Sequence, residues 1–506
     1  MNKNSTNNSV MIVGGGIAGL TAGVYALQSG FDVTIIESHS IAGGNATSWK
    51  RKGYFFEGGM HWLTGSSGKT PLNALWKEIG ALKENSKIDV KDPFLTYMGK
   101  NGQVCIYRDP AKLRKHFLKI SPQDKKAING LVKDIKTMRK LSMPVMDIKG
   151  VKVKNKAHPP LSMLFALPKV IPLMKRIGKI TIKEYTNKFK SPDIRALLTN
   201  VVSTDEFSSE FSSISFLATL GSLSLGDGGY SEGGALRLAL NITNEFVRLG
   251  GKIEYNTNVE KIHTQNGKAT GVIINGQLRA ADAVIVAADT RAAIDNLFDS
   301  PIEENWANEM RQNIEPVNCS FISLGVKADL SAFPENMCFK PDAPIEHCGR
   351  KYEFITFNNY AGYRDYSPEG CSSVTVILSG DTYDEWKEAK ASGTYEEKKA
   401  QLAQIMIEKL AELIPQTKDK VEVWDVATPL TYERYCGNWR GSWMSVMGTG
   451  GMKLDYPCKP ETIKNLYFAG QRLRIPGGLP VALFTGRSAA QYLCKDTKTV
   501  FQGNME

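Results

Sequence analysis

The stretch Ser9–Leu20, SVMIVGGGIAGL, joins an apolar run to a glycine-rich turn and to the start of a small-residue helix. A G-x-G-x-x-G turn between a strand and a helix is typical of a βαβ unit that binds a dinucleotide. Gly14 would permit the tight turn, Gly16 would let backbone N–H groups approach a pyrophosphate, and Gly19 would let the helix pack closely on the strands. The N-terminus of that helix adds partial positive charge and free N–H donors for the diphosphate.

An acidic residue follows at the distance that this motif requires. Residues 32–37, DVTIIE, predict a second strand that ends at Glu37, eighteen residues after Gly19. A carboxylate there can accept hydrogen bonds from both hydroxyls of an adenosine ribose, and it would repel the 2′-phosphate of NADP. Because the strand, turn, helix, second strand and acid all agree, the sequence predicts binding of a dinucleotide that lacks a 2′-phosphate.

Length and composition bound the class of protein. The chain has 506 residues, which predicts two or more domains, and its 42% hydrophobic and 23% charged residues are typical of a globular protein. The polar start, Met1–Asn8, has no secretory signal pattern, and no apolar run reaches the roughly 20 residues that span a bilayer. The eight cysteines form no C-x-x-C and the six histidines no ligand cluster. We therefore expect reduced thiols, a cytoplasmic location and no metal site.

The positive charge of the chain is concentrated in one region. The net charge is +11, and the fifteen Lys and Arg between Lys133 and Lys190 face only three acids there. Inside this region, Leu161–Arg176 is an apolar run with two prolines and three cations. The segment near residues 149–190 could lie on an anionic membrane, with apolar side chains inserted and lysines at the headgroups, or could be a solvated face beside a buried helix. It has no nucleic-acid-binding motif, so a nucleic acid partner is not expected.

Other patterns organise the rest of the chain. Residues 66–230 favour helices and contain few strand signals, whereas Asn266-Gly267 and Asn275-Gly276 predict hairpin turns. A buried parallel strand is predicted at Ala283–Ala288, another buried strand at Asn465–Gly470, and an amphipathic helix at about Tyr395–Ile414. The fold class is therefore α/β with a discontinuous Rossmann-type nucleotide domain and an α+β substrate (cap) domain. We assign 1–65, 230–300 and 455–495 to the nucleotide domain, and 66–229 and 301–454 to the cap.

These segments together resemble the FAD-dependent phytoene desaturase family, which includes carotenoid desaturases, carotenoid isomerases and retinol saturases. The resemblance covers nearly the whole chain in order and spacing, and it is stronger for FAD binding than for the substrate. Besides the opening motif, it rests on WKRKGY at 49–54, EGGMHW at 57–62, GYSEGG at 229–234, ADAVIVAAD at 281–289, LYFAGQ at 466–471 and PGGLP at 476–480.

The resemblance implies non-covalent FAD as the cofactor and a role for each matched residue. Glu37 would hold the adenosine ribose, and Val259 would pair its backbone with the adenine. The residues implied along the pyrophosphate and flavin are Gly43, Gly44, Asn45, Gly470, Gly478 and Leu479. Related flavoproteins often have Arg where this chain has Asn45, so backbone N–H groups, Lys50 or Arg51 must meet the phosphate charge.

Two polar residues of the EGGMHW stretch are candidates for catalysis. His61 could donate a proton near the flavin, since imidazole titrates near neutral pH, or it could be a structural histidine on a turn. Glu57 could act as a base or could orient a nearby loop. Asp205-Glu206 could supply an acid or could form a solvated helix end.

Four aromatic residues allow two further interpretations. They could line an apolar tunnel or could fill the core, and they are Tyr432, Tyr435, Trp439 and Trp443.

The expected function is that of a FAD-dependent oxidoreductase. It would act on C–C bonds of a long apolar isoprenoid, carotenoid-like or retinoid-like lipid, by desaturation, saturation or isomerisation. The chain contains no second strand-linked G-x-G-x-x-G, so electrons would pass to or from a quinone, oxygen or a nicotinamide in solution. We expect the protein on the inner face of the cell membrane. The alternatives are an amine oxidase-like flavoprotein and a non-enzymatic prenyl-lipid escort on the same fold.

Overall fold

The computed structural model of the chain describes residues 8–141, 145–154, 161–202, 211–449 and 453–503. Within these residues the α-helices are α1 (Ile17–Gln28), α2 (Pro71–Glu78), α3 (Pro110–Ile120), α4 (Lys125–Met138), α5 (Leu161–Ile177), α6 (Ile182–Thr186), α7 (Pro192–Thr199), α8 (Ser213–Leu223), α9 (Gly234–Arg248), α10 (Thr290–Asn296), α11 (Asn305–Asn313), α12 (Tyr383–Ala391), α13 (Tyr395–Leu413), α14 (Pro429–Cys436) and α15 (Leu479–Asp496). The strands are β1 (Ser9–Val13), β2 (Asp32–Ile36), β3 (Ser48–Arg51), β4 (Tyr54–Glu57), β5 (Ile88–Asp89), β6 (Leu95–Gly99), β7 (Gly102–Ile106), β8 (Tyr230–Ser231), β9 (Lys252–Glu254), β10 (Lys261–Gln265), β11 (Lys268–Ile274), β12 (Gln277–Ala280), β13 (Ala283–Val286), β14 (Pro316–Val317), β15 (Cys319–Val326), β16 (Asn336–Phe339), β17 (Ile345–His347), β18 (Arg350–Tyr352), β19 (Ile355–Asn359), β20 (Ser372–Ser379), β21 (Val421–Ala427), β22 (Met444–Ser445) and β23 (Leu466–Phe468).

A parallel sheet gathers strands from three distant segments of the chain. Its order is β23-β13-β1-β2-β9, and every neighbouring pair runs parallel. Alternate side chains of β1 enter different cores: Val10 and Ile12 pack on the side of α1 and α15, and Met11 and Val13 pack on the side of β11. Burial on both faces explains why β1 and β13 are almost wholly apolar, as the sequence predicted.

An antiparallel meander, β10-β11-β12, packs beside this sheet. The Asn-Gly pairs at 266–267 and 275–276 lie at its two turns. All four residues have positive φ, between 51° and 71°, which is the conformation that tight hairpin turns require. The hairpins predicted from these two dipeptides are therefore confirmed.

The second large sheet has the order β21-β15-β20-β19-β16-β6-β7. The sequence predicted few strands between residues 66 and 230, and that prediction was wrong for β6 and β7. They form a hairpin with Leu95 opposite Ile106, and β6 adds to the sheet alongside β16. Thr96 and Cys105 are buried between apolar neighbours, so packing against the rest of the protein stabilises this hairpin.

The predicted helix 395–414 is confirmed as α13, which ends before Pro415.

Helices α3 to α8 cover one end of the second sheet. Helix α5, in the basic region, buries Ala166, Val170, Leu173 and Ile177 on one face and exposes Phe165 and Ile171 on the other. No helix among the described residues has the length and apolar character needed to cross a membrane.

Candidate cofactor and substrate site

The turn between β1 and α1 has the geometry that the glycine motif predicts. Gly14 adopts φ +102°, a conformation that residues with side chains rarely adopt. A Cβ on Gly19 would lie 2.0 Å from the carbonyl oxygen of Gly14, so this position must be glycine for the helix to begin where it does. Gly14 and Gly16 line a large cavity, whereas Gly19 serves the packing of helix on strand.

Glu37 lies at the carboxyl end of β2 and is held by two backbone amides. Its Oε2 accepts a hydrogen bond from Gly15 N at 2.6 Å, and its Oε1 accepts one from His39 N at 2.7 Å. The side chain is buried and lines the same cavity. The carboxylate is thus fixed where the motif requires an acceptor for ribose hydroxyls.

The second glycine turn packs directly on the first. Gly43 N donates to Gly15 O at 2.9 Å, and Asn45 Oδ1 accepts a hydrogen bond from Asn438 Nδ2 at 2.8 Å. The alternative that Lys50 or Arg51 meets the phosphate charge was wrong, because the β3–β4 hairpin carries both to the surface. Lys50 is exposed, and Arg51 Nε pairs with Asp425 at 3.2 Å. Backbone N–H groups remain as donors for the phosphates.

The remaining predicted cofactor residues also meet at this cavity. Val259 follows β9, Gly470 follows β23, and Gly478 and Leu479 form the start of α15. Gly478 N is held by Gln471 Oε1 at 3.0 Å. The loops come from segments about 200 residues apart, and they converge because the parallel strands end at one edge of the sheet.

Sequence reasoning missed a buried ion pair in the wall of the cavity. Arg472 Nε lies 2.9 Å from Asp289 Oδ2, and these side chains are 1% and 2% exposed. The remaining guanidinium hydrogens go to Met444 O, Ser445 Oγ and Ser442 O. An acid at the end of a buried strand and an arginine just after Gly470 were the available signals.

The cavity has a volume of about 910 Å³ and continues from the glycine turns into the cap. Its cap portion is mostly apolar, and the side chains there include Phe94, Leu95, Met138, Leu141, Val201, Val202, Phe211, Ile214, Leu223, Trp443 and Met447. Arg139 and Ala218, which also line it, are solvent-exposed and mark where this arm reaches the surface. One continuous space can therefore hold a nucleotide cofactor and a long apolar molecule.

His61 lines the cavity where the glycine turns meet the cap. Its ring stacks on Phe321 at 6.0 Å between centroids, and the edge of Trp443 lies at 5.9 Å. Neither ring nitrogen has a hydrogen-bond partner in the part of the chain that the structure describes. Burial lowers the pKa of His61 to about 4, so the imidazole is neutral at pH 7 and has no imidazolium proton to donate.

Glu57 is completely buried behind the wall of the cavity. Its Oε1 accepts from Gly59 N at 3.0 Å and Met60 N at 3.2 Å, and its Oε2 accepts from Ala235 N at 3.0 Å and from the Tyr230 hydroxyl. Burial raises the pKa of Glu57, whereas these hydrogen bonds oppose the rise. The carboxyl group joins the 58–60 loop to the start of α9, which agrees with the interpretation that Glu57 orients a loop.

Of the four aromatic residues that could line a tunnel or fill the core, two line the cavity and two pack elsewhere. Trp443 and Tyr435 line the cavity. Tyr432 is buried and donates to Gly58 O at 3.0 Å, and Trp439 lies beneath the Arg291 guanidinium. Asp205-Glu206 lies outside the described residues.

We expect His61→Gln to change how stability depends on pH. The His61 pKa is lower in the folded protein, at about 4, than the ordinary value of 6.5, so below pH 6.5 the unfolded chain binds a proton that the folded chain does not. Stability is therefore lost as the pH falls from 6.5 towards 4. Between pH 7 and about pH 5, this group lowers the free energy of unfolding of the wild-type protein by about 2 kcal/mol, and His61→Gln should abolish that contribution. Urea unfolding at pH 7 and at pH 5 measures it.

His347→Gln is the matched control, because burial also lowers the His347 pKa to about 4. It should change the pH dependence in the same direction while leaving the FAD content intact. An equal stability change at both pH values in His61→Gln would contradict the lowered pKa.

Comparison with known proteins identifies the family. Residues 17–494 match the flavin containing amine oxidoreductase family. The chain belongs to that family. It is a FAD-dependent oxidoreductase, and the predicted FAD cofactor is confirmed.

Sequence relatives confirm the resemblance stated above. The chain is 24% identical to an all-trans-retinol 13,14-reductase of Danio rerio, with 92% of this chain and 83% of the relative covered. It is 24% identical to a chloroplastic prolycopene isomerase of Daucus carota (97% and 81% covered). It is also 24% identical to a 1-hydroxycarotenoid 3,4-desaturase of a Flavobacterium strain (96% and 98% covered).

Solved structures confirm the fold. An oxidoreductase from Methanosarcina mazei superposes with a TM-score of 0.64 at 17% identity, covering 96% of this chain and 100% of that one. A putrescine oxidase bound to putrescine gives the same TM-score and identity, covering 96% and 99%. At this level of identity the likeness establishes architecture alone.

Proposed function

We propose that this flavoprotein acts on a C–C unit of a long apolar lipid of the isoprenoid, carotenoid or retinoid type. The observation that carries the proposal is the cavity, which runs from the glycine turns into an arm lined by apolar side chains. The three relatives named above act, by their names, on retinol, prolycopene and a hydroxycarotenoid, which supports the same substrate class. Such a site is compatible with desaturation, with saturation and with isomerisation.

The proposed division of the chain follows the sequence boundaries. Residues 1–65, 230–300 and 455–495 would form the FAD-binding domain, and 66–229 and 301–454 the cap. The residues proposed to hold FAD are Gly14, Gly16, Glu37, Gly43, Gly44, Asn45, Val259, Gly470, Gly478 and Leu479, with Gly19 packing the helix. Their backbone amides, together with the N-terminus of α1, offer the donors that a diphosphate needs.

Bound FAD supplies hydride exchange with carbon. The N-terminus of α15, at Gly478 and Leu479, favours negative charge in its vicinity. We assign His61 the role of a neutral hydrogen-bonding group that accepts a hydrogen bond or donates its N–H inside the cavity. Glu57 acts as a positioning residue, because its carboxyl group holds the loop that leads to His61.

The test uses purified, FAD-loaded protein and three lipids: all-trans-retinol, a cis-carotene and a hydroxycarotenoid. Each is incubated anaerobically with the oxidised and with the chemically reduced protein, and the extracted lipid is analysed by chromatography and mass. Desaturation removes two hydrogens, saturation adds two, and isomerisation changes retention without changing mass. Reduction of the flavin by primary amines, with every lipid recovered unchanged, would overturn the proposal in favour of an amine oxidase. Binding of the lipids by the FAD-loaded protein, with no conversion in either flavin state, would also overturn the proposal and would indicate a lipid escort.

We further propose that the enzyme docks peripherally on an anionic membrane through the face around α5. Phe165 is 81% exposed and Ile171 is 46% exposed, and both lie on a helix that also presents Lys169 and Lys175 to solvent. A basic groove adjoins this helix, and it is lined by Arg114, Lys133, Lys136, Arg139, Lys140 and Lys169, among others. Arg139 lines both the groove and the cavity, so lipid would pass from the membrane into the apolar arm without crossing water.

Charge reversal on this face should abolish membrane binding. The change is Lys169→Glu, Lys175→Glu and Lys179→Glu in one variant; Arg176 is kept because its Nη2 pairs with Asp134 at 2.8 Å. Each cation near an anionic surface contributes about 1 kcal/mol, so the triple variant should bind liposomes at least about a hundredfold more weakly. Sedimentation with phosphatidylglycerol-containing liposomes at low salt measures it.

The matched control reverses the same amount of charge elsewhere. Lys390, Lys418 and Lys420 are exposed, and lie in or near the helices that flank the second sheet. Their replacement by Glu should leave liposome binding within about threefold of wild type. Equal loss in both triple variants would mean that only net charge matters, and the docking face would be withdrawn.

A further inference from the structure

Asn200, which follows α7, carries an unpaired acceptor in the cap portion of the cavity. It lines the cavity and is 5% exposed. Its Nδ2 donates to Ala196 O at 2.8 Å, one turn back in the helix. The amide oxygen lies on the other side of the planar group, and this Oδ1 is buried without a hydrogen-bond partner among the described residues. Buried polar atoms are nearly always hydrogen-bonded, so a donor is missing here.

Three hydroxyl side chains that α8 contributes to the cavity wall already use their protons. Ser215 donates to Ser212 O at 2.8 Å, Thr219 donates to Ser215 O at 2.9 Å, and Ser222 donates to Asp227 Oδ2 at 2.6 Å. Val201 and Val202 follow Asn200 in the chain, and they line the same cavity, as do Phe211, Met138 and Leu141. Among the described residues Asn200 Oδ1 has no donor, and a molecule that occupies the cavity can supply one.

We propose that the lipid substrate carries a hydroxyl group and that Asn200 Oδ1 accepts the hydrogen bond from it. This inference rests on the proposed function, and it narrows the substrate from apolar lipids in general to polyene or isoprenoid alcohols. A hydrocarbon would leave Oδ1 buried and unpaired, and a site that contains such an acceptor discriminates against the ligand that lacks the donor. Asn200 is thereby a specificity-determining residue of the cap.

A charged amine fits this position less well than an alcohol. An ammonium ion buried among apolar side chains needs a carboxylate partner. Three acids of the described residues line the cavity. Glu37 lies at the end of β2 and is held by Gly15 N and His39 N, and Asp289 is paired with Arg472. Asp227 accepts hydrogen bonds from Gly65 N, Ser67 N and the hydroxyls of Ser66 and Ser222. A neutral O–H group satisfies one lone pair of Asn200 without introducing a charge.

The test compares three ligands on one carbon skeleton: all-trans-retinol, its methyl ether and the parent hydrocarbon. Trp62 and Trp443 line the cavity, so quenching of tryptophan fluorescence by the polyene reports binding independently of turnover. FAD-loaded wild-type protein should bind the alcohol about tenfold more tightly than the ether or the hydrocarbon. Asn200→Leu, which is similar in shape and lacks the acceptor, should lose that preference while it still binds the hydrocarbon.

Thr219→Val is the matched control, because it removes a cavity hydroxyl whose proton is already bonded to Ser215 O. It should keep the wild-type preference for the alcohol. The three affinities measured on wild-type protein test the preference for the alcohol even if Asn200→Leu fails to fold. Equal affinity for all three ligands would overturn the role of Asn200 and leave the proposed function standing. A long-chain primary amine is titrated in the same way, and tighter binding of the amine than of the alcohol would also overturn the role of Asn200. Failure to bind any of the polyenes would overturn both.

Discussion

Arg472→Met should destabilise the protein by about 3–5 kcal/mol, because it leaves the Asp289 carboxylate buried without its counter-ion. Among the described residues, Asp289 would keep the N–H donors of Arg291 and Ala292, at 3.0 and 3.2 Å, and these cannot neutralise its charge. Ser442, Ser445 and the Met444 carbonyl lose their donors in the same change. Denaturant unfolding of the FAD-loaded protein measures the loss.

The control for this prediction is an exposed arginine of the same type. Arg248, whose side chain is 67% exposed, pairs with Glu245 on α9, and Arg248→Met should cost less than about 1 kcal/mol. Adding Asp289→Asn to Arg472→Met should recover part of the stability, since the uncharged amide needs no counter-ion and still accepts from the start of α10. Equal stabilities of the two single variants would show that the buried pair contributes nothing.

Glu37→Ala should weaken the affinity for FAD by at least about tenfold. A charge-assisted hydrogen bond contributes roughly 1.5–3 kcal/mol, and the variant loses the acceptors for the ribose hydroxyls. It also releases Gly15 N and His39 N, which the carboxylate now holds. Titration of FAD into the apoprotein, followed by flavin fluorescence, gives the dissociation constant.

Two variants accompany this titration. Glu37→Gln keeps one acceptor oxygen and should lie between wild type and Glu37→Ala. Asp32→Ala removes an exposed acid at the start of the same strand and should bind FAD as wild type does. An unchanged dissociation constant for Glu37→Ala would mean that the adenosine ribose does not contact the end of β2. The proposal that the first βαβ unit binds the adenosine part of FAD would then be wrong.

His61 illustrates how the surroundings change what a residue type can do. An exposed imidazole exchanges protons near neutral pH, and on that basis the sequence allows a proton donor as one of two roles, beside a structural histidine. Burial against Phe321 and Trp443 keeps the ring neutral instead, which leaves it able to accept a hydrogen bond at one nitrogen and to donate its N–H at the other. No local pattern around residue 61 encodes this, because Phe321 and Trp443 are more than 250 positions away in the chain.

The sequence by itself determined the features that depend on near neighbours. The strand, turn and helix at Ser9–Leu20, the acid at Glu37 and the two Asn-Gly hairpins follow from backbone sterics and hydrogen bonding over a few residues. The apolar runs at β13 and β23 likewise predicted buried strands, because a strand covered on both faces excludes polar side chains.

Only the tertiary structure decided which distant side chains meet. The Arg472–Asp289 pair joins residues 183 positions apart, and Arg51 pairs with Asp425 rather than with the phosphates. Asn200 Oδ1 is buried without a hydrogen-bond partner among the described residues. The β6–β7 hairpin was missed for the same reason. Each of these results depends on solvent exclusion and on partners brought by other elements, and a local sequence pattern carries no information about either.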